Sequence, residues 1–203
     1  MFVWILGRVN VKLDGWKENL ISKGGKEILI KSVVQAIPHY AMSIFKIPVS
    51  LCQSIEKKIA PFLWQNDSWK SGIQWKHWEV LKTRKKMGGL GFRDLVAFNK
   101  AMLGKQAWRL IQNPTSLWAT LFKGLYFHSQ DFLTASKGTR SSWGWQSILM
   151  GRDSISSKLQ WSAGDGMNIR IQEDRWLSKG RIGGTAAVQE PERVADLIDT
   201  DTK

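Results

Sequence analysis

The feature that most constrains the fold is the helical spacing of apolar residues, interrupted at intervals by glycine and proline. In several stretches an apolar residue recurs every three or four positions, which is the period of one face of an α-helix. One such stretch follows Pro48 and contains Leu51, Ile55, Ile59 and Leu63, and Pro61 is expected to kink or shorten this helix. The spacing predicts a mainly α fold.

Two helices precede this one. The first is expected to bury Val9, Leu13, Trp16 and Leu20 and to end at Gly24-Gly25, since glycine adopts the positive φ that often ends a helix. On the second helix, apolar residues are expected to point inward and polar ones outward: Ile28, Leu29, Val33, Ala36 and Ile37 against Lys26, Lys31 and Gln35.

Two further helices are predicted in the middle of the chain. One spans about residues 94–112 with Asp94 as its N-cap, and the other starts near Thr115 or Ser116 and carries Leu117, Leu121 and Leu125 at successive turns. A loop over 129–142, a short helix from Ser142 to about Met150 and a β-hairpin over 158–171, turning at Gly164-Asp165-Gly166, are predicted to follow.

The domain organisation expected from these patterns has three parts. Residues 1–128 form a basic helical region, residues 129–180 a connecting region with the short helix and the hairpin, and residues 181–203 a polar tail.

The charge of the chain is concentrated in its first two thirds. Residues 1–130 contain 20 basic and 7 acidic side chains, whereas residues 131–203 contain ten of each, and the whole chain carries +13. A domain with such a field is expected to bind a polyanion, either a nucleic acid or an anionic surface.

Residues able to support catalysis or metal binding are sparse. His39, His77, His128 and the single cysteine, Cys52, stand at no metal-ligand spacing, and no two aspartates are adjacent. We therefore expect no active site, no metal and no cofactor. A signal peptide and an apolar run of about 20 residues are not recognised, so an intracellular, non-secreted protein without a membrane segment is expected.

Gly88-Gly89-Leu90-Gly91 follows a basic run and has two interpretations. Its N–H groups and the neighbouring cations could approach phosphates, or it could be a tight turn that leads into the helix at Asp94, which spacing alone favours. The basic run could also act as a nuclear import signal.

The twelve tryptophans could be packed in the core or could stack on the bases of a nucleic acid. Trp108 and Trp161 are expected in the core. Trp69, Trp75 and Trp78, interleaved with Lys70, Lys76 and Lys82, are the better stacking candidates, although packing is favoured for them as well.

An ordered series of motifs runs over about residues 9–177. The motifs at residues 13–38 are Leu13-Asp14-Gly15-Trp16-Lys17, Leu20-Ile21-Ser22-Lys23-Gly24-Gly25-Lys26, Ile30-Lys31-Ser32-Val33 and Ala36-Ile37-Pro38. Those further along include Phe62-Leu63-Trp64, Gly88-Gly89-Leu90-Gly91-Phe92-Arg93-Asp94-Leu95, Ala97-Phe98-Asn99-Lys100-Ala101 and Asp174-Arg175-Trp176-Leu177. This series resembles plant LINE-type, non-LTR retrotransposon reverse transcriptases. Gln172 stands where the family usually has tryptophan.

The resemblance implies a helical, thumb-like bundle and the connecting region after it, downstream of the polymerase active site. The catalytic Tyr-x-Asp-Asp motif, the fingers and palm, and a ribonuclease H domain have no counterpart in this sequence. The chain is accordingly expected to be a catalytically inactive fragment that binds RNA, DNA or an RNA–DNA duplex without sequence specificity, its missing partners being the upstream palm and fingers. The oligomeric state stays open.

Two positive surfaces are predicted to contact phosphates. One comprises Lys12, Lys17, Lys23, Lys26 and Lys31, and the other comprises Lys82, Arg84, Lys85 and Lys86.

Two alternatives stay open. The chain could be a non-functional remnant of a decayed element, with exposed apolar patches near Phe2, Trp4 and Ile5, or a basic module that binds a protein or a membrane surface.

Overall fold

The computed structural model describes residues 2–17, 21–65, 73–139, 141–172, 174–177 and 191–198. Within these ranges the α-helices are α1 (Val3–Lys17), α2 (Lys23–Ser32), α3 (His39–Ile44), α4 (Val49–Trp64), α5 (Trp78–Lys82), α6 (Leu95–Gln112), α7 (Leu117–Tyr126) and α8 (Trp143–Ser156). Short 3₁₀ turns occupy Val34–Ala36, Lys85–Met87 and Val194–Leu197. The predicted mainly α class is confirmed.

Two compact units divide the chain, Met1–Ser154 and Ile155–Lys203. All of α1 to α7 and most of α8 belong to the first unit. The three-part division expected from composition stays a prediction.

Helix α4 organises the core of the first unit, because α1, α2 and α6 all contact it. Its residues Ile55, Ile59 and Leu63 are buried as the apolar spacing predicts. The helix continues past Pro61 to Trp64, so the expected shortening of the helix at Pro61 is not observed. The core residues contributed by other elements include Ile5, Val9, Leu13, Ile30, Met42, Leu81, Phe92 and Leu95.

The helix boundaries predicted from capping residues are confirmed for α6 and α7. Asp94 caps α6, its side chain accepting hydrogen bonds from Val96 N at 2.9 Å and Ala97 N at 3.0 Å. Ser116 caps α7 by accepting from Ala119 N at 3.3 Å. Both caps satisfy amide groups that the first helical turn leaves without a partner.

The predicted break at Gly24-Gly25 is wrong, because both glycines lie inside the first turn of α2. Ser22 is the N-cap and accepts a hydrogen bond from Gly25 N at 3.2 Å. These glycines therefore begin a helix, and the positive φ values among the described glycines occur instead at Gly88, Gly91, Gly138 and Gly166.

The predicted inward face of the second helix is also wrong in part. Ile28 is 66% exposed, whereas Ile30 and Val34 are fully buried and Lys26 and Gln35 are 7% and 1% exposed. Three consecutive apolar residues, 28–30, fit more than one helical face, and the packing of α2 against α4 selects the face that contains Ile30.

The start of α1 is better packed than expected. Phe2 is 8% exposed and Ile5 is fully buried, and the Phe2 ring contacts Trp143 edge-on with ring centroids 5.3 Å apart. Trp4 remains 43% exposed. The apolar patch expected here is thus largely covered by the protein's own core.

A buried side chain fastens the connection between α3 and α4 to α6. Asn99 donates from Nδ2 to the carbonyls of Met42 and Phe45, at 2.8 and 2.9 Å, and accepts from Ile47 N at 2.8 Å. Its three hydrogen bonds satisfy backbone groups that would otherwise be buried without partners. The position of residues 45–47 is therefore determined by α6.

Helix α8 packs on α6 and on a group of aromatic rings. Trp145 is fully buried, with Tyr126 and Phe127 stacked against it at centroid distances of 4.9 and 5.5 Å. Gly151 lies so close to the backbone of Leu103 that a Cβ atom would overlap it. Glycine at this position permits the close helix contact.

In the second unit, the predicted β-hairpin over 158–171 is wrong. Arg170 pairs with Arg193 in an isolated antiparallel bridge, and Ile171 N donates to Glu192 O at 3.1 Å. Trp161 N instead donates to Arg175 O at 2.7 Å. The two segments that alternate in sequence each have another partner, and Ile169, Ile171 and Val194 form the small core of this unit.

Candidate nucleic-acid interface

The first predicted cationic surface is only partly present. Lys12 on α1 and Lys23 at the start of α2 are exposed, and Lys23 Nζ lies 6.0 Å from the centre of the Trp64 ring. The side chain of Lys17 lies outside the described part of the structure. Lys12 and Lys23 are therefore the members of this set whose side chains are open to solvent.

Lys26 is wrongly placed on that surface by the sequence prediction. Its side chain is buried, its Nζ donates to Gln65 O at 2.7 Å, and it lies 5.4 Å from the centre of the Phe62 ring. A buried ammonium needs such partners because it has lost its hydration. Lys26 holds the end of α4 against α2, and its ammonium faces the protein.

Lys31 is half-buried and has two partners within the fold. Its Nζ lies 2.6 Å from Glu27 Oε1 and donates to Leu90 O at 2.5 Å. The second contact links α2 to the turn that contains Gly88, which carries the second predicted surface.

Glu27 joins the two predicted surfaces. Its carboxylate pairs with Lys31 and also with Lys85 Nζ at 3.1 Å. The hydrogen bond from Lys31, followed by that from Lys85, lowers the pKa of Glu27 despite an opposing effect of burial. Lys31 and Lys85, which belong to different predicted surfaces, are neighbours in the folded protein.

Lys82, a member of the second predicted cationic surface, is also less exposed than predicted. Its side chain is 13% exposed, and its Nζ lies 3.0 Å from Glu56 and 2.8 Å from Glu79, with Asp94 at 3.9 Å. Burial lowers the pKa of Lys82, but the hydrogen bonds to the two glutamates and the charge of Asp94 outweigh this, so its pKa is raised. A lysine surrounded by three carboxylates presents no positive field to a phosphate.

The glycine-rich stretch forms a tight turn folded back on α5. Leu90 N and Phe92 N donate to Leu81 O, and Gly91 N donates to Thr83 O at 2.9 Å. Gly88 N and Gly89 N donate to the carbonyls of the preceding basic run. The turn interpretation is confirmed, and the N–H groups of 88–92 are occupied by backbone carbonyls.

Around this turn the structure gathers cations that remain accessible. Arg84 and Lys86 are exposed and form no ion pair within the described ranges, and Lys76 Nζ donates to Gly88 O at 3.0 Å. Trp75, next to Lys76, is 71% exposed. We define the turn surface as Trp75, Lys76, Arg84, Lys85 and Lys86.

The other tryptophans divide differently from the prediction. Trp78 is half-buried and stacks on Phe92 with centroids 4.9 Å apart, so packing is confirmed there. Trp69 and Lys70 lie outside the described residues. Trp108 and Trp161, expected in the core, are 43% and 49% exposed. Trp108 lies on the side of α6 opposite its buried face, and the residues on either side of Trp161 are exposed as well.

Sequence reasoning missed a second basic face, on α6. Lys105, Trp108 and Arg109 are exposed there, while Leu103 and Ala107 are buried. The signal was present in the sequence, because these residues fall opposite the predicted apolar stripe at 3.6 residues per turn.

The exposed leucines of α7 form another unexpected surface. Leu117, Leu121 and Leu125, spaced one helical turn apart, are 78%, 54% and 68% exposed. The helical period is as predicted, but the stripe faces away from the core of the first unit.

No cluster that could hold a metal ion is found among the described His, Cys, Asp and Glu residues. Burial, followed by the charges of Glu56 and Asp94, raises the pKa of the Cys52 thiol to about 11. At neutral pH this thiol is protonated, so it is a poor nucleophile. In the described part of the chain, no helix is both long and apolar enough to cross a bilayer.

Comparison with known proteins identifies two plant relatives. The chain is 39% identical over 143 residues to "Uncharacterized mitochondrial protein AtMg00310" of Arabidopsis thaliana, an alignment that covers 70% of this chain and 93% of that protein. It is 33% identical over 177 residues to "Putative ribonuclease H protein At1g65750" of the same plant, covering 86% of this chain but 28% of that protein. No family model matches the chain, and no solved structure matches it.

Proposed function

This chain belongs to the same family as the Arabidopsis mitochondrial protein AtMg00310, and from that premise we propose that it binds nucleic acid without sequence specificity. The observation that carries the proposal is the turn surface, where exposed cations surround a folded turn beside an exposed tryptophan. Dispersed lysine and arginine side chains contact phosphates regardless of base sequence.

The proposed origin of the chain is the region downstream of the active site in a plant retroelement reverse transcriptase. The ordered motifs over residues 9–177 support this, and so does the relative named as a ribonuclease H protein, of which this chain spans 28%. In this proposal the chain is not an enzyme, and its ligand is an RNA–DNA or DNA duplex.

The turn surface can serve this purpose because its four cations are exposed, although Lys85 also pairs with Glu27 and Lys76 also donates to Gly88 O. Lys82 is paired with carboxylates and Lys26 with a carbonyl, whereas Arg84 and Lys86 have no ion-pair partner in the described structure. We therefore assign phosphate contact to Lys76, Arg84, Lys85 and Lys86, with Trp75 able to contact a sugar or base.

The test is the salt dependence of binding to a labelled RNA–DNA duplex, measured by fluorescence anisotropy. The Arg84→Gln/Lys86→Gln variant should bind at least about tenfold more weakly at low salt. Its log–log salt slope should fall in magnitude by roughly 0.9 for each phosphate that is no longer neutralised. The matched control is Lys57→Gln/Lys58→Gln, which removes the same charge from the exposed side of α4.

Two results would contradict the proposal. Equal reductions of affinity in both double variants would show that net charge, and not the turn surface, determines binding. Absence of binding by the unmodified chain at low salt would favour the alternative of a non-functional remnant.

A further inference from the structure

A cleft of about 360 Å³ runs along α8. Its lining residues are all different from those of the turn surface. Helix α8 contributes Trp143, Gln146 and Met150 at one-turn intervals, while Lys46 and Lys137 come from two loops. The volume is within the range of small-ligand pockets. We call this the α8 cleft.

The charge of the α8 cleft is positive. Arg152 also lines it, but its guanidinium pairs with Asp153 at 2.9 Å. Lys46 and Lys137 are exposed and take part in no ion pair across the residues that the structure describes. Two uncompensated ammonium groups therefore border one cleft, which favours an anionic ligand.

Both lysines extend from backbone that the fold holds in place. Lys46 N donates to Ser147 Oγ at 2.8 Å, and Ser147 is fully buried. Arg152 Nη1 donates to the carbonyls of Phe132 and Ala135, at 3.1 and 2.6 Å, which anchors the loop that leads to Lys137. A cation that extends from ordered backbone loses less entropy when it binds a ligand than a cation on a mobile segment.

The aromatic wall of the cleft is Trp143. Its ring packs against Phe2 and Phe45, with centroids 5.3 and 6.3 Å away, yet it is 41% exposed. An indole held on one side and open on another offers a surface on which a flat, aromatic ligand can stack.

We propose that the α8 cleft binds one nucleotide unit, with its phosphate between Lys46 and Lys137 and its base against Trp143. A base must be unpaired to stack in this way, so the preferred source is a single strand, such as an overhang beside a duplex. This choice of source rests on the proposed function. The proposed binding of a nucleotide in the cleft does not rest on that function, because a free nucleotide presents the same phosphate and base.

The experiment compares fluorescein-labelled dT12, an RNA–DNA duplex and AMP as probes of the full chain, using anisotropy for the first two and calorimetry for AMP. Lys46→Gln/Lys137→Gln should weaken dT12 binding at least about tenfold and reduce its salt slope by roughly 0.7 for each phosphate that is no longer neutralised. Binding of the duplex should change no more than in the Lys57→Gln/Lys58→Gln control. Trp143→Leu, which keeps an apolar contact with Phe2, should weaken dT12 binding about fivefold or more.

The outcomes separate this proposal from the proposed function. If the chain binds the duplex but the cleft and control variants lose dT12 affinity equally, the cleft proposal is overturned and the proposed function stands. If the chain binds neither oligonucleotide, the proposed function fails, and AMP decides the cleft: binding that the two lysine substitutions abolish supports it, and no binding overturns it. AMP bound as tightly as dT12 would overturn the single strand as the source.

Discussion

Basic residues that are close together in this sequence have different roles in the folded protein: some pair with carboxylates within the fold, and others remain exposed to solvent. Lys82 is enclosed by Glu56, Glu79 and Asp94, whereas Arg84 and Lys86, two and four positions later, are exposed. A lysine paired with a largely buried carboxylate, as Lys82 is with Glu56, contributes to folding, because removing it leaves that charge without compensation.

This difference predicts the behaviour of Lys82→Met. The substitution should lower the free energy of unfolding by about 3 kcal/mol, since Glu56 is only 13% exposed and would lose its partner. Adding Glu56→Gln should restore most of the stability, as measured by urea unfolding in a double-mutant cycle.

The same pair of substitutions tests the assignment of Lys82 to the fold. The Lys82→Met/Glu56→Gln chain has an unchanged net charge and should keep the salt slope for duplex binding. A small stability effect of Lys82→Met together with a reduced slope would instead place Lys82 in contact with phosphate.

At the scale of helices, the glycines differ in whether the packing of neighbouring helices requires them. Gly7 on α1 has open space where a Cβ would be added, whereas Gly151 on α8 meets the backbone of Leu103. Gly7 lowers the stability of α1 without a packing benefit, whereas Gly151 allows α6 and α8 to approach each other closely.

Alanine substitutions at these two glycines should therefore have opposite effects. Gly7→Ala should stabilise the protein by about 0.5–1 kcal/mol, and Gly151→Ala should destabilise it by about 2 kcal/mol or more through overpacking against backbone. Thermal unfolding followed by circular dichroism measures both. A neutral Gly151→Ala would show that the α6–α8 contact is looser than the structure has it.

For the whole molecule, the first compact unit contains its own core, from Ile5 on α1 to Trp145 on α8. Cys52 is buried in that core. Because its pKa is raised to about 11 from an ordinary value of 9.0, the folded protein keeps the thiol protonated where the unfolded chain begins to ionise. Its contribution to stability is therefore complete below about pH 9 and decreases as the pH rises toward 11.

Cys52 can accordingly report whether the first unit folds alone. We expect a chain truncated after Ser156 to protect the thiol from iodoacetamide at pH 8 as well as the full chain does, with rapid alkylation only in denaturant. Fast alkylation of the truncated chain, compared with slow alkylation of the full chain, would show that residues after 156 are needed for the core.

The parts of this fold that could be predicted were those determined locally. Asp94 and Ser116 begin helices because their side chains accept hydrogen bonds from amides two or three residues away, and such contacts depend on nearby sequence alone. The face of α4 was predictable for the same reason. The basic character of the candidate site was predictable, but not which residues form it. Lys26 is buried and Lys82 is paired with carboxylates, and Lys105 and Arg109 were not anticipated.

By itself, then, the sequence determined the helical class, the boundaries of α6 and α7 and the excess of positive charge, because these follow from residues close together in the chain or from composition. The tertiary structure alone decided which cations stay free. Glu27 pairs with Lys85, 58 positions away, and residues 169–171 pair with 192–194 instead of their predicted hairpin partner. Such pairings depend on contacts between segments that are far apart in the sequence and come together only when the chain folds.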